Sequence, residues 1–203
     1  MNYLLAVSLV ILSIQRTPLQ AGVDAPKTAN TVQAPAWPSV SLVDLDGRSV
    51  NPFENSTNRA IVFLFIAVDC PISNSYAPEV RRLYAEFAPK NVTFKLIYTD
   101  PDLTPAEIRK HLKEYDYPCG ALRDPKHELV RLAKARVTPE VAIFVPHSGL
   151  VYHGRIDDRF VDFGKKRPNP TVRDLKNALH AVLAGRPVAP SATRAVGCYI
   201  PAL

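Results

Sequence analysis

The chain has 203 residues, 47% apolar and 22% charged, a balance that suits one compact domain with a sizeable core. Its net charge of +6 is spread out, apart from the short run Lys165-Lys166-Arg167. With no dense basic patch and no aromatic residues interleaved in one, the composition excludes a nucleic-acid-binding module and leaves a solvated basic surface.

The chain opens on MNYLLAVSLVILSIQRTPLQAG, with an apolar run from Tyr3 to Ile14. That run falls short of the roughly 20 residues a membrane-spanning helix needs. It suits the core of a secretory signal ending near Ala21, which places the mature protein in the periplasm or outside the cell, with no membrane span. Residues 22–37 are rich in Pro, Ala and Thr and read as a linker to a domain over 38–185. Residues 186–203 read as an extended C-terminal tail.

Within the domain, SVSLVDLDGRSV alternates around Asp46-Gly47 and predicts a short hairpin near a sheet edge. RAIVFLFIA, Arg59 to Ala67, is apolar without alternation, as in a strand buried on both faces. From Cys70 to Ala88 the apolar residues Ile72, Tyr76, Val80, Leu83 and Phe87 recur at helical spacing. Pro78 falls inside that helix and should kink it. VTFKLIY predicts a second strand. Thr104-Pro105-Ala106-Glu107 has the capping-box pattern with proline at the first helical position. A further short helix follows Asp124-Pro125. EVAIFVP and LVYHGRI, divided by His147-Ser148-Gly149, form a hairpin. Thr171 to Ala184 is an amphipathic helix that Gly185 ends. The order β-α-β-α-(short β)-α-β-β-α predicts an α/β domain, a mixed central sheet with helices on both faces.

The chemistry lies in the cysteines. There are three, Cys70, Cys119 and Cys198, so at most two pair within one chain. Outside the cytosol such pairs persist. Cys70 stands where a strand ends and a helix begins, and a helix start lowers the pKa of a thiol placed there. Pro71 follows it, and Ser73 and Asn74 bring polar groups within one turn. Ser73 stands where a C-x-x-C motif would have its second cysteine. Cys119 reads as a buried free thiol, although it remains a rival partner for Cys70. Cys198, in a tail with little periodicity, can swing onto Cys70, remain free or bridge to another molecule. His147 and His153 flank the hairpin turn without ligands at metal spacing, so no metal or other cofactor is expected. Asp157 and Asp158 point apart in an extended segment, leaving ion pairs with Arg155 and Arg159.

The apolar strand running into Cys70, Pro78 within the helix, and Thr138-Pro139 ahead of an apolar strand resemble the thioredoxin-like superfamily. DCPISNSYAPE, GRIDDRF and GCYI resemble more narrowly a branch of bacterial redoxin-domain proteins near the alkyl hydroperoxide reductase and thiol-specific antioxidant group. The resemblance implies a thioredoxin-like fold, a nucleophilic Cys70, and a cis peptide before Pro139. Thr138 there would hold an extended substrate by strand addition. It implies a thiol oxidoreductase acting on a protein or small-molecule disulfide, with Cys198 or an external thiol reductant resolving the mixed disulfide. Two departures bear on activity. The buried acid of thioredoxins is replaced by Leu64. In the peroxiredoxin pattern P-x-x-x-T-x-x-C, Phe63 and Ala67 take the proline and threonine positions, so the peroxide-binding hydroxyl is missing. A peroxiredoxin-like peroxidase, and a docking module with a structural Cys70–Cys198 bridge, are the alternative readings.

Overall fold

The computed structural model describes residues 37–54 and 57–203; the expected export signal and most of the linker lie outside them. In chain order the strands are β1 (Leu42–Val43), β2 (Ser49–Val50), β3 (Ala60–Ile66), β4 (Val92–Tyr98), β5 (Ala121–Arg123), β6 (Val137–Thr138), β7 (Glu140–Val145), β8 (Gly149–Gly154), β9 (Phe160–Asp162), β10 (Lys165–Lys166) and β11 (Cys198–Tyr199). The helices are α1 (Pro71–Ser75), α2 (Ala77–Phe87), α3 (Pro105–Glu114), α4 (Glu128–Ala133) and α5 (Asp174–Leu183).

A seven-stranded sheet runs β2-β1-β5-β4-β3-β7-β8. β3 pairs parallel with β4 and antiparallel with β7. A βαβ unit (β3, α1–α2, β4) is thus joined to a hairpin and helix (β7, β8, α5). This is the thioredoxin-like fold.

All seven residues of β3 are buried, because both faces of the strand are covered. Ala60, Val62, Leu64 and Ile66 pack with Tyr76, Val80, Leu83 and Phe87 and with Leu175 and Leu179 of α5. Ile61, Phe63 and Phe65 face the other way, onto Phe53, Phe144 and α4 residues Leu129, Val130 and Ala133. The rings of Phe53, Phe63 and Phe144 meet edge-on at 5.2–5.7 Å between centroids, a favoured aromatic geometry.

Four local readings change. The helix after Cys70 does not kink at Pro78; it breaks at Tyr76, which ends α1 and precedes α2. Proline has no N–H to give to the carbonyl of Asn74, so the second helix restarts with Pro78 in its first turn, where no donor is required. A small hairpin, β9–β10, projects after GRIDD with Val161 and Phe163 exposed. Its strands are too short to carry a period. Arg155 pairs with Asp174 at 2.8 Å, leaving Asp157 to Arg159 at 3.6 Å. Last, residues 186–203 are held against the domain. His153 and Thr193 exchange backbone bonds with the facing segments, and β11 pairs antiparallel with β6.

Asp158 latches the start of α5, accepting from the N–H groups of Thr171 and Val172 at 2.7 and 2.9 Å and from the Thr171 hydroxyl. Burial pushes its carboxyl up, but these donors outweigh burial and hold the pKa at about 2. A carboxylate so depressed contributes stability above its unfolded pKa, near 3.9. That contribution is lost as the pH falls through the folded value. Urea midpoints of the wild type should therefore drop between about pH 4 and pH 2, and Asp158→Asn should lack that part of the drop.

Candidate functional site

Cys70 is the N-cap of α1, with extended backbone (φ −85°, ψ 108°). Pro71 fills the first helical position and leaves no donor orphaned. The Cys70 sulfur accepts from the Ser73 N–H at 3.5 Å. The Ser73 hydroxyl is fully buried with no hydrogen-bond partner of its own, and lies near enough to favour the Cys70 thiolate. Asn74 does not face the sulfur. Its amide donates to the Val68 carbonyl at 2.9 Å and its oxygen takes the Nε2 proton of His111 at 2.8 Å. His111 Nδ1 in turn accepts from the Tyr98 hydroxyl at 2.8 Å. Asn74 thus fixes the position of α1 and acts on the thiol only through it.

The peptide Thr138–Pro139 is cis and faces Cys70; the Cys70 thiol donates to the Thr138 carbonyl at 3.1 Å. The edge of Thr138 is not open for a substrate strand. It is taken by the chain's own tail, with Cys198 opposite Thr138 and Tyr199 opposite Val137. The Ile200 N–H extends this pairing to the Arg136 carbonyl. Glu140 stiffens the loop from below, its buried carboxylate accepting from the N–H of Arg136 at 2.8 Å.

This pairing sets the Cys198 thiol 2.8 Å from the Cys70 sulfur, as a donor to it. A disulfide bond measures 2.03–2.05 Å, so less than about 1 Å of approach separates the two thiols from a bond. Their acidities diverge. Burial pushes Cys70 up, but the hydrogen bonds from Cys198 and from the Ser73 N–H outweigh it, and the net shift is downward. Cys198 is pushed up by burial, by giving its proton to Cys70 and by the charges of Cys70 and Asp69. Cys70 is the more acidic thiol of the pair, and Cys198 is the hydrogen-bond donor to it. The depression of Cys70 comes from individual donors; α1 is five residues long and offers little macrodipole.

Cys119 lies elsewhere. It is buried and its thiol is pushed up to about 12 by that burial, which makes it inert. His153 faces Glu140 at 3.6 Å, away from His147 in the turn. Among the described residues no group of three His, Cys, Asp or Glu side chains comes together to hold a metal. The residue that sequence reasoning passed over is Gly197, whose lack of a side chain lets the tail lie against the Thr138–Pro139 backbone; its only signal was a glycine beside a cysteine.

The AhpC/TSA family model matches residues 33–153. The chain belongs to the AhpC/TSA family. The match contains Cys70, Thr138 and Pro139 and stops short of Cys198. A redox function goes with this redoxin family. Among solved structures, an uncharacterized conserved protein from Geobacillus kaustophilus is 30% identical, with a TM-score of 0.68, covering 82% of this chain and 89% of its own. A hypothetical protein from Sinorhizobium meliloti 1021 is 25% identical, with a TM-score of 0.69, covering 80% and 90%. A thioredoxin-like protein from Aeropyrum pernix is 21% identical, with a TM-score of 0.48, covering 57% and 80%. No curated protein matches the chain.

Proposed function

We propose that this AhpC/TSA-family protein is an exported thiol–disulfide oxidoreductase whose working pair is Cys70 and Cys198. The supporting observation is the 2.8 Å approach of the two sulfurs with acidities displaced in opposite directions. A site of this kind needs one thiolate and one thiol in line, and the fold supplies each from a different end of the domain. The pair cycles between dithiol and disulfide, exchanging two electrons with a protein or small-molecule disulfide or with an external thiol reductant. Thr138 and Pro139 hold the tail strand that presents Cys198. Export rests on the apolar run Tyr3–Ile14; among the described residues no helix is long and apolar enough to cross a membrane. Ala67 and Phe63 leave the sulfur without the threonine hydroxyl that a peroxiredoxin turns on peroxide, so the thiol-exchange reading is preferred to the peroxidase.

Mass-spectrometric disulfide mapping tests this. The oxidised protein should carry a Cys70–Cys198 bridge that a mild dithiol opens, with Cys119 free throughout. A bridge from Cys70 to Cys119, or no bridge, would sink the reading. A Cys70–Cys198 bridge that resists the dithiol until the protein unfolds would make it a structural lock.

A further inference from the structure

Cys70 is fully buried and does not line the cavity that Cys198 borders. The strand β11 lies across it. Cys198 is half-buried and lines a cavity of about 410 Å³ between the turns after β3 and β4 and residues 198–203. Asp69, Asp100 and Asp102 also line that cavity, with Ile200 and Leu203 as apolar wall, and no Lys or Arg does. Asp69 is near enough to act on the Cys198 sulfur.

We propose, resting on the reading of Cys70 and Cys198 as the working pair, that outside thiols exchange at Cys198 through this cavity, and that its carboxylates favour a cationic thiol over an anionic one. The sulfur and the cavity make the site; the carboxylates set its charge.

In the oxidised protein a thiolate RS⁻ attacks Cys198 Sγ. The RS–Cys198 bond forms, the Cys70–Cys198 bond breaks, and Cys70 leaves with the electron pair as a thiolate. A second RS⁻ attacks the RS sulfur, forming RSSR and releasing the Cys198 thiolate, which takes a proton. Two thiols are oxidised and one protein disulfide is reduced. The chemistry agrees with the geometry, since the sulfur of lower pKa is the better leaving group. Negative charge at the cavity wall raises the local concentration of a cation and lowers that of an anion.

The test treats oxidised wild-type protein with cysteamine, a cationic thiol, then acid-quenches, alkylates free thiols and maps the adduct. It is expected on Cys198, with Cys70 alkylated. An adduct on Cys70 would overturn the entry point while leaving the pair itself intact. Absence of any disulfide before treatment would instead overturn the reading beneath it. The ratio of the cysteamine rate to the glutathione rate should fall several-fold in Asp69→Asn/Asp102→Asn. An unchanged ratio would overturn the charge preference. In Cys198→Ser, Cys70 should capture cystamine much more slowly than Cys198 does in Cys70→Ser. Ending the chain at Val196 should release it. Equal capture with β11 in place would place the entry at Cys70.

Discussion

Cys70→Ser is expected to bring catalytic disulfide turnover down to background, a loss of at least ~100-fold, without weakening the reduced fold, while Cys198 still takes up one thiol from a small disulfide. The serine hydroxyl does not ionise near neutral pH and forms no disulfide. The remaining thiol at Cys198 is raised in pKa, and without Cys70 it can close no intramolecular bridge. The fold should tolerate the change because Cys70 is an N-cap, and serine is among the preferred residues there. The effect on stability should therefore appear only on oxidation. The two cysteines are 128 residues apart, and a crosslink closing a loop of that length stabilises by about 5 kcal/mol in the chain-entropy model. Wild type should unfold at clearly higher denaturant when oxidised than when reduced, and Cys70→Ser at the same concentration in both conditions. Multiple turnover surviving in the variant would end the assignment of Cys70 to the working pair.

Gly197→Ala is expected to undo the site without touching either sulfur. An added Cβ would stand 2.6 Å from the Thr138 carbonyl carbon and 3.0 Å from the Pro139 nitrogen, and closer still to the Thr138 oxygen. All three are backbone atoms that cannot rotate away, so β11 must leave β6. The 2.8 Å approach of Cys198 to Cys70 then disappears. Disulfide formation should slow by roughly ten-fold or more, the loss expected when a paired geometry becomes a tethered encounter. Cys70 should become open to alkylation by iodoacetamide, where the wild-type reduced protein protects it. Circular dichroism should stay near wild type, since β11 is two residues long and outside the main sheet. Protection of Cys70 unchanged by the substitution would refute the role given to the glycine.

The parts of this molecule that could be read from its sequence are those with a period. β3 announces itself by seven apolar residues in a row, and α2 and α5 by apolar residues at helical spacing. The capping box at Thr104 and Glu107 set the start of α3, and the structure has both of its bonds. Cys70 could be placed because a strand–helix junction is local. The partner of Cys70 could not, because β6 and β11 are two residues each and pair across the length of the domain. A pairing so short has no alternation, and its specificity lies in a close backbone approach that only Gly197 permits. Asn74 misled for a related reason. Its nearness in sequence to Cys70 suggested a partner for the thiol, while the buried His111 from α3 claims its carboxamide.

The distance along the chain between the two sulfurs also orders events during synthesis. At about 5–20 residues per second, Cys198 emerges roughly 6–25 s after Cys70. For that interval the reactive thiol exists without its acid partner and without the strand that covers it. Cys119, made in between, is the thiol it can meet first. Cys119 shares a cavity wall with Asn58, Asn91 and Val92 at the start of β4, whereas Cys70 follows the end of β3, so pairing of these strands holds the two thiols at opposite ends of the sheet until the tail arrives.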